Sequence, residues 1–247
     1  MDTVIIGEKM SIKSIRPKVI FSEVETKFPN QNVSFTVNIP TSEIGGLTLL
    51  ESSILVSLIK LINPSYLFEF GTYMGATTLL FATNTKSEAK IISLDIDPQE
   101  LELENIDVDQ SKLLIDQKEN DNFLRNNFAS NGAKYVKCLD RELQKKIELI
   151  LQNSLKLAPE KREFLKKFDL IFIDGGHEYH IVEKDTENAL KMAKENSIII
   201  WHDYKSSIHS DVTNFINEFS LAHNLYHVEN TMLIIMPIGK YSEIFNN

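Results

Sequence analysis

The 247-residue chain has one cysteine, Cys138. A single thiol excludes an intrachain disulfide and fits a reducing compartment. Cys138 reads as an ordinary small residue rather than a nucleophile. Positive charge is also scarce: 26 Lys+Arg against 35 Asp+Glu leave a net charge of −9. That field repels nucleic acid unless a local basic patch overrides it. No such block is present, because Lys145-Lys146, Lys161-Arg162 and Lys166-Lys167 sit among glutamates and read as solvated helix faces. The longest apolar tract, "LTLLESSILVSLIKLI", is interrupted by Glu51 and Lys60 and is too short to span a bilayer. The start, "MDTVIIGEKMSIKS", lacks the basic opening, long apolar centre and small-residue cleavage site of a secretory signal. Internal repeats and low-complexity tracts are absent too. The expectation is a soluble, cytoplasmic protein with no nucleic-acid or membrane partner. Homo-oligomerisation is left open.

What is present is a succession of short apolar runs separated by helical spacings. From Leu47, apolar residues at 50, 54, 55, 58 and 62 predict a helix that Pro64 stops. "YLFEF" then reads as a strand, "ATTLLFA" as a helix opening at Gly75, and "IISLDID" as the next strand, which together make a β-α-β unit. "IELIL", "DLIFI" and "SIIIW" repeat the strand pattern. Their unbroken hydrophobicity fits strands of a parallel sheet covered on both faces. The segment 175–196 carries an amphipathic stripe and predicts a crossover helix, and 208–222 predicts another. "NLYHVENTMLIIMPIG" predicts a closing antiparallel hairpin. The fold class is therefore α/β: a doubly wound, Rossmann-like, seven-stranded sheet, mostly parallel, with helices on both faces. Residues 1–46, with strand-like pieces such as "VSFTVNI", are expected to be an N-terminal extension with a role toward substrate. Residues 47–247 form the main domain, and 104–146 is polar and long enough to be an insertion or lid.

In such a sheet, ligands bind beyond the carboxyl ends of the strands at the switch point, where glycine permits close backbone approach. "FEFGTYMG" lies at that point with Glu-x-Gly-x-x-x-Gly spacing, so the dinucleotide fingerprint with its third glycine is missing. Glu69 would repel a pyrophosphate and suits a ligand with a cationic end. Asp95, ending the next strand, can accept ribose hydroxyls. Together these acids describe a nucleoside joined to a positive group.

With these residues in view, the sequence resembles the class I S-adenosylmethionine-dependent methyltransferases. The matching stretches are "FEFGTYMGATT", "ISLDIDP", "LILQNSLKL", "FDLIFIDGGHEYHIVEKD" and "SIIIWHDY", and the similarity covers about residues 45–237. "IDGGHEY" with "HDY" further resembles the small-molecule and sugar O-methyltransferases of the methyltransferase domain 24 type, distantly related to catechol and macrocin O-methyltransferases. The resemblance implies a backbone cradle for S-adenosylmethionine at Gly71, Thr72, Tyr73 and Gly75. It implies Glu69 at the methionine end, Asp95 and Ile96 at the ribose, Asn153 and Ser154 beside the adenine, and Asp174 nearby.

An alcohol acceptor needs help losing its proton, from a divalent cation or from a base with a suitable pKa. Asp174, His202 and Asp203 end adjacent strands and form a candidate triad for Mg²⁺ or Mn²⁺. His202 stands where the relatives often carry an acid, which shifts the preference toward Mn²⁺, Zn²⁺ or Fe²⁺. His177, in the loop after Asp174, is the candidate base, with His180 behind it; His209, His223 and His227 receive no role. The expected function is methyl transfer to a hydroxyl of a small-molecule acceptor, with Asp174 and His177 as catalytic residues. Two alternatives stay open. One is a non-catalytic cofactor-binding protein. The other is a nucleic-acid or protein methyltransferase, for which the nucleic-acid form disagrees with "IDGGHEY" and the acidic charge.

Overall fold

A computed structural model describes residues 12–29, 33–34, 36–37, 44–100 and 108–245. The chain begins with β1 (Ile12–Ile15) and α1 (Pro17–Lys27), then α2 (Leu49–Ile62), β2 (Tyr66–Phe70), α3 (Ala76–Asn84) and β3 (Lys90–Asp95). Helices α4 (Gln117–Asn131), α5 (Lys134–Lys137) and α6 (Arg141–Gln144) lead to β4 (Ile147–Leu151) and β5 (Phe168–Ile173). The last part comprises α7 (Tyr179–Met192), β6 (Ala193–Trp201), α8 (Ser210–Phe219), β7 (Leu225–Val228) and β8 (Ile234–Ile238). Among the described residues no helix is long and apolar enough to cross a membrane.

These elements form one eight-stranded sheet in the order β1-β7-β8-β6-β5-β2-β3-β4. All pairs are parallel except β6 with β8 and β7 with β8. The seven expected strands are therefore joined by an eighth, β1, which pairs with β7 from Ile12↔Leu225 to Ile15↔Val228. "IKSI" is too short to show strand periodicity over its four residues, and its partner lies more than 200 residues away. Residues 12–27 are thus part of the same fold, with Ile20 of α1 fully buried in the core. Of "VSFTVNI", the described residues form no strand; Thr36 N–H donates to Asn84 Oδ1 at 2.9 Å.

The chain winds outward through β2, β3 and β4 and returns to lay β5 against β2. The switch point falls between the carboxyl ends of β2 and β5, where Gly71 and Asp174 begin their loops. One layer of core on one face joins α2 to Leu67, Leu170, Phe172, Ile198 and Ile200. On the other face, Phe68, Phe70, Ile171, Ile173 and Trp201 pack with the buried side of α7 and α8. Alternation along each strand supplies both layers, because successive side chains point to opposite faces.

The polar stretch 104–146 is largely helical where described. Its α5 segment is bound to the glycine loop: Ala133 N–H donates to Tyr73 O at 2.7 Å and Tyr135 N–H to Met74 O at 3.0 Å. A side chain at Gly75 would meet Val136 Cγ2 at 2.6 Å, and Gly75 also holds φ +82°. This glycine is needed for the turn and for the insertion's close seat at once.

Candidate active site at the carboxyl edge of the sheet

The loop after β2 is held from below. Gly71, at φ +89°, has no room for a Cβ, which would lie 2.0 Å from the Asp174 carbonyl oxygen. Asp174 N–H donates to Phe70 O at 2.9 Å, so β2 and β5 close together at this point. Tyr73 adopts φ +46°, a left-handed conformation unusual for a non-glycine residue and characteristic of constrained sites.

Glu69 is fully buried. Its Oε2 accepts hydrogen bonds from Thr78 Oγ1 and from Ser93 Oγ at 2.6 Å, while Oε1 has no partner among the described residues. Burial pushes its carboxyl up to about 8, against the lowering effect of the Ser93 and Thr78 hydroxyls. An orphaned buried acceptor is costly, and a ligand bringing a cationic donor would satisfy it.

Asp95 caps the same loop. Its Oδ2 accepts from Thr72 N–H at 2.8 Å and Tyr73 N–H at 2.7 Å, and its Oδ1 from Ile96 N–H at 2.8 Å. Desolvation raises it to about 6, although all three backbone donors favour the charged form. Each carboxylate oxygen has two acceptor positions, so one position stays open on Oδ1. Two ribose hydroxyls would require one loop N–H to let go. The adjoining β4 end is tied in by Gln152 N–H to Asp95 O at 2.7 Å. Asn153 follows, with its Oδ1 accepting Leu155 N–H at 2.9 Å, and the Ser154 hydroxyl reaches the buried Asp185 of α7.

Across the switch point the chemistry changes. Asp174, His202 and Asp203 each offer a ligand atom within 4.8 Å of the others. His202 Nδ1 lies 3.2 Å from Asp174 Oδ1 and 3.5 Å from Asp203 Oδ1. Asp203 holds φ +63°, which turns the chain sharply after β6 and brings two consecutive residues to one point. Burial lowers the His202 pKa, but Asp174 and Asp203 outweigh it and hold the imidazole well above its ordinary value. The two imidazoles in turn hold Asp203 well below the usual carboxylate range, against its burial.

Three residues join this cluster that their sequence context did not single out. Glu51 of α2 is 1% exposed and forms a reciprocal cap with Thr48, while its Oε1 accepts Met232 N–H at 2.9 Å. The same oxygen lies 3.4 Å from His202 Nε2, an ion-pair distance without hydrogen-bond alignment. Burial raises Glu51, but His202 together with the Met232 and Thr48 N–H groups more than offsets it, and the carboxyl sits at about 2. Asp121 of α4 meets His177 Nδ1 at 2.7 Å, and His177 Nε2 lies 3.2 Å from Asp203 Oδ2. Against a desolvation that lowers it, these two carboxylates raise His177 to about 10. His209 stacks on His177 with ring centroids 3.6 Å apart. His180 is exposed on α7. One signal was available for Glu51, a lone acid in an otherwise apolar helical face; Asp121 and His209 carried none.

A family model described as a methyltransferase domain matches residues 68–204, more than half of the chain. The chain belongs to this methyltransferase family. It is a class I, S-adenosylmethionine-dependent methyltransferase, and the matched segment runs from β2 through Tyr204, just past the Asp203 turn. The SAH-bound Podospora anserina methyltransferase PaMTH1 shares the fold, with a TM-score of 0.51 and 15% identity over 91% of this chain and 88% of that one. An O-methyltransferase from Bacillus cereus in complex with SAH matches at 0.46 and 16%, covering 89% of each chain. TomG from Streptomyces achromogenes, an O-methyltransferase involved in tomaymycin synthesis and bound to SAM, matches at 0.46 and 12%, covering 90% of each. No curated protein matches the chain.

Proposed function

We propose that this methyltransferase moves a methyl group to a hydroxyl oxygen of a small molecule, with a divalent cation held by Asp174, His202 and Asp203. The observation that carries the reading is the three-ligand cluster one loop away from Gly71 and Glu69. Two carboxylates and one imidazole converging on one point are a donor set for Mn²⁺ or, less selectively, Mg²⁺. Glu51 lies behind His202, 3.4 Å from Nε2, where a small shift would let that nitrogen donate to it and fix a ligating imidazole from its far side.

S-adenosylmethionine supplies an activated sulfonium methyl, and a divalent cation would lower the pKa of an acceptor hydroxyl. The chain's own part is placement. Glu69, with its unpartnered Oε1, takes the cationic methionine end. Gly71, Thr72, Tyr73 and Gly75 line the backbone cradle, Asp95 and Ile96 face the ribose, and Asn153 and Ser154 flank the adenine. With S-adenosylmethionine bound, the acceptor oxygen would form the O–C bond as the C–S bond breaks with its electrons staying on sulfur, and the acidified hydroxyl proton would pass to water. Asp174 and Asp203 hold the acceptor side in line with that bond. In a cation-free route His177 is the base only after it has lost the proton that Asp121 and Asp203 stabilise on it, and Asp203 Oδ2 must also release its Nε2. The inserted segment 104–146 and residues 1–46 delimit the acceptor, and the net charge of −9 favours a small molecule over nucleic acid.

The test is calorimetric titration with S-adenosylmethionine, S-adenosylhomocysteine and NAD, followed by an acceptor screen with Mg²⁺, Mn²⁺ or chelator. Binding of the two adenosyl-sulfur ligands but not NAD, and turnover that chelator abolishes, is the expected result. Full turnover in chelator would remove the cation from the reading.

A further inference from the structure

Asp121, His177 and His209 form a second cluster, in which one ligand atom from each lies within 4.8 Å of the others. We propose that these three residues form a second cation site, distinct from the one on Asp174, His202 and Asp203, and that the two make a paired centre.

Three elements far apart in sequence supply the donors: Asp121 from α4, His177 from the loop after β5, and His209 at the start of α8. All three are shielded; the side chains of His177 and Asp121 are 12% and 9% exposed and His209 is 4% exposed. His209 Nδ1 is buried with no hydrogen-bond partner among the described residues. A buried imidazole nitrogen left without a partner, on a ring stacked against His177, is costly unless something supplies the missing partner.

The surroundings fit ligation as well. When a histidine ligates a metal through one nitrogen, the other usually donates to a carboxylate, which fixes the ring. His177 has that arrangement: Nδ1 faces Asp121, and Nε2 faces Asp203 Oδ2 at 3.2 Å. Asp203 directs its other oxygen, Oδ1, toward His202 and the first cluster. One carboxylate therefore touches both sites, so occupancy of either is felt at the other.

Two imidazoles and one carboxylate are borderline donors. They select Zn²⁺, Fe²⁺, Co²⁺ or Mn²⁺ over Mg²⁺ and Ca²⁺, which prefer all-oxygen sets. The first cluster, with two carboxylates, is the harder of the two. A cation must splay the ligating edges of the stacked His177 and His209 rings. It also takes Nδ1 of His177 out of its bond to Asp121, so ligation and general-base action by His177 exclude each other. The proposal does not rest on methyl transfer, because cation binding is measured directly.

The experiment strips the full-length protein with chelator and titrates it with Co²⁺ and with Zn²⁺ by calorimetry, following Co²⁺ visible absorption in parallel. Wild type should bind two cations. His209→Ala and Asp121→Asn should each lose one, weakened by more than roughly 100-fold, since even losing a residue behind the ligands costs about 10–100-fold. Asp174→Asn should keep the His209-dependent cation. Circular dichroism verifies the fold of each variant, and His209→Gln replaces His209→Ala if the latter unfolds. A wild type that binds no cation, or one cation lost only in Asp174→Asn, overturns the proposal. So does full two-cation binding in both the His209 variant and Asp121→Asn.

Discussion

The two halves of the sheet's carboxyl edge use the same side chains to opposite effect. On the β2–β3 side, Glu69 and Asp95 meet only hydroxyls and backbone N–H groups, and burial lifts them to about 8 and about 6. On the β5–β6 side, Glu51 and Asp203 meet imidazoles and are driven down, Glu51 to about 2. Neutral dipoles only partly replace the water a carboxylate loses, whereas an imidazolium more than replaces it. Among the described residues, the first half therefore holds its acids without a cationic partner, which is what the proposed binding of a cationic ligand end at Glu69 requires. The second carries positive charge on His177 and His202 at the positions where a metal ion would take over.

Breaking the charged half should have the largest effect. Glu51→Ala leaves His202 buried without its rear carboxylate, frees Met232 N–H and removes the Glu51 half of the α2 capping box while Thr48 still accepts the residue-51 N–H; unfolding in urea should show a loss of about 3–5 kcal/mol. A loss under about 1 kcal/mol would mean that the pair carries no charge and that the two halves do not differ as described.

On the neutral half, Asp95→Ala frees the N–H groups of Thr72, Tyr73 and Ile96 and removes the remaining acceptor. S-adenosylmethionine should bind roughly 10–100-fold more weakly, about 1.4–2.8 kcal/mol, by calorimetry. Unchanged affinity would confine Asp95 to the loop.

Glu69 sharpens the contrast through pH. With its pKa raised from 4.5 to about 8, the folded protein holds a proton that the unfolded chain releases. Its contribution to stability is full below about 4.5 and is lost as pH rises through about 8. A cationic ligand reverses the preference, so S-adenosylmethionine should bind up to about tenfold more tightly per pH unit on rising toward 8, with proton release. Binding by Glu69→Gln should be flat over that range. A wild type as flat as the variant would separate Glu69 from the methionine end.

The smallest effect is expected at the join between the insertion and the glycine loop. Gly75→Ala must keep φ +82° and meets Val136 Cγ2, so it should cost about 1 kcal/mol or more. Val136→Ala in the same chain should recover the steric part only. Complete recovery would show that the backbone conformation carries no strain there.

Much of this was legible in the chain. The seven main strands announce themselves by apolar runs with turn residues after them, and the strand ends carry Glu69, Asp95, Asp174 and the His202-Asp203 pair. Those residues are local: each is read from its own strand. Glu51, Asp121 and His209 are not, because nothing near them in sequence says which surface α2, α4 or α8 will present. β1 was missed for a similar reason, since four residues pair with a strand that begins at Leu225.

By itself, then, the sequence determined the order of the seven main strands, the family, and the glycine loop with its acids, since periodicity and turn chemistry act over a few residues. The tertiary structure alone decided that a cap on α2, an acid on α4 and a histidine before α8 meet at the ends of β5 and β6. It also decided the charge of each group there, because a buried carboxylate's proton depends on the partner across the gap, and that partner comes from another part of the chain.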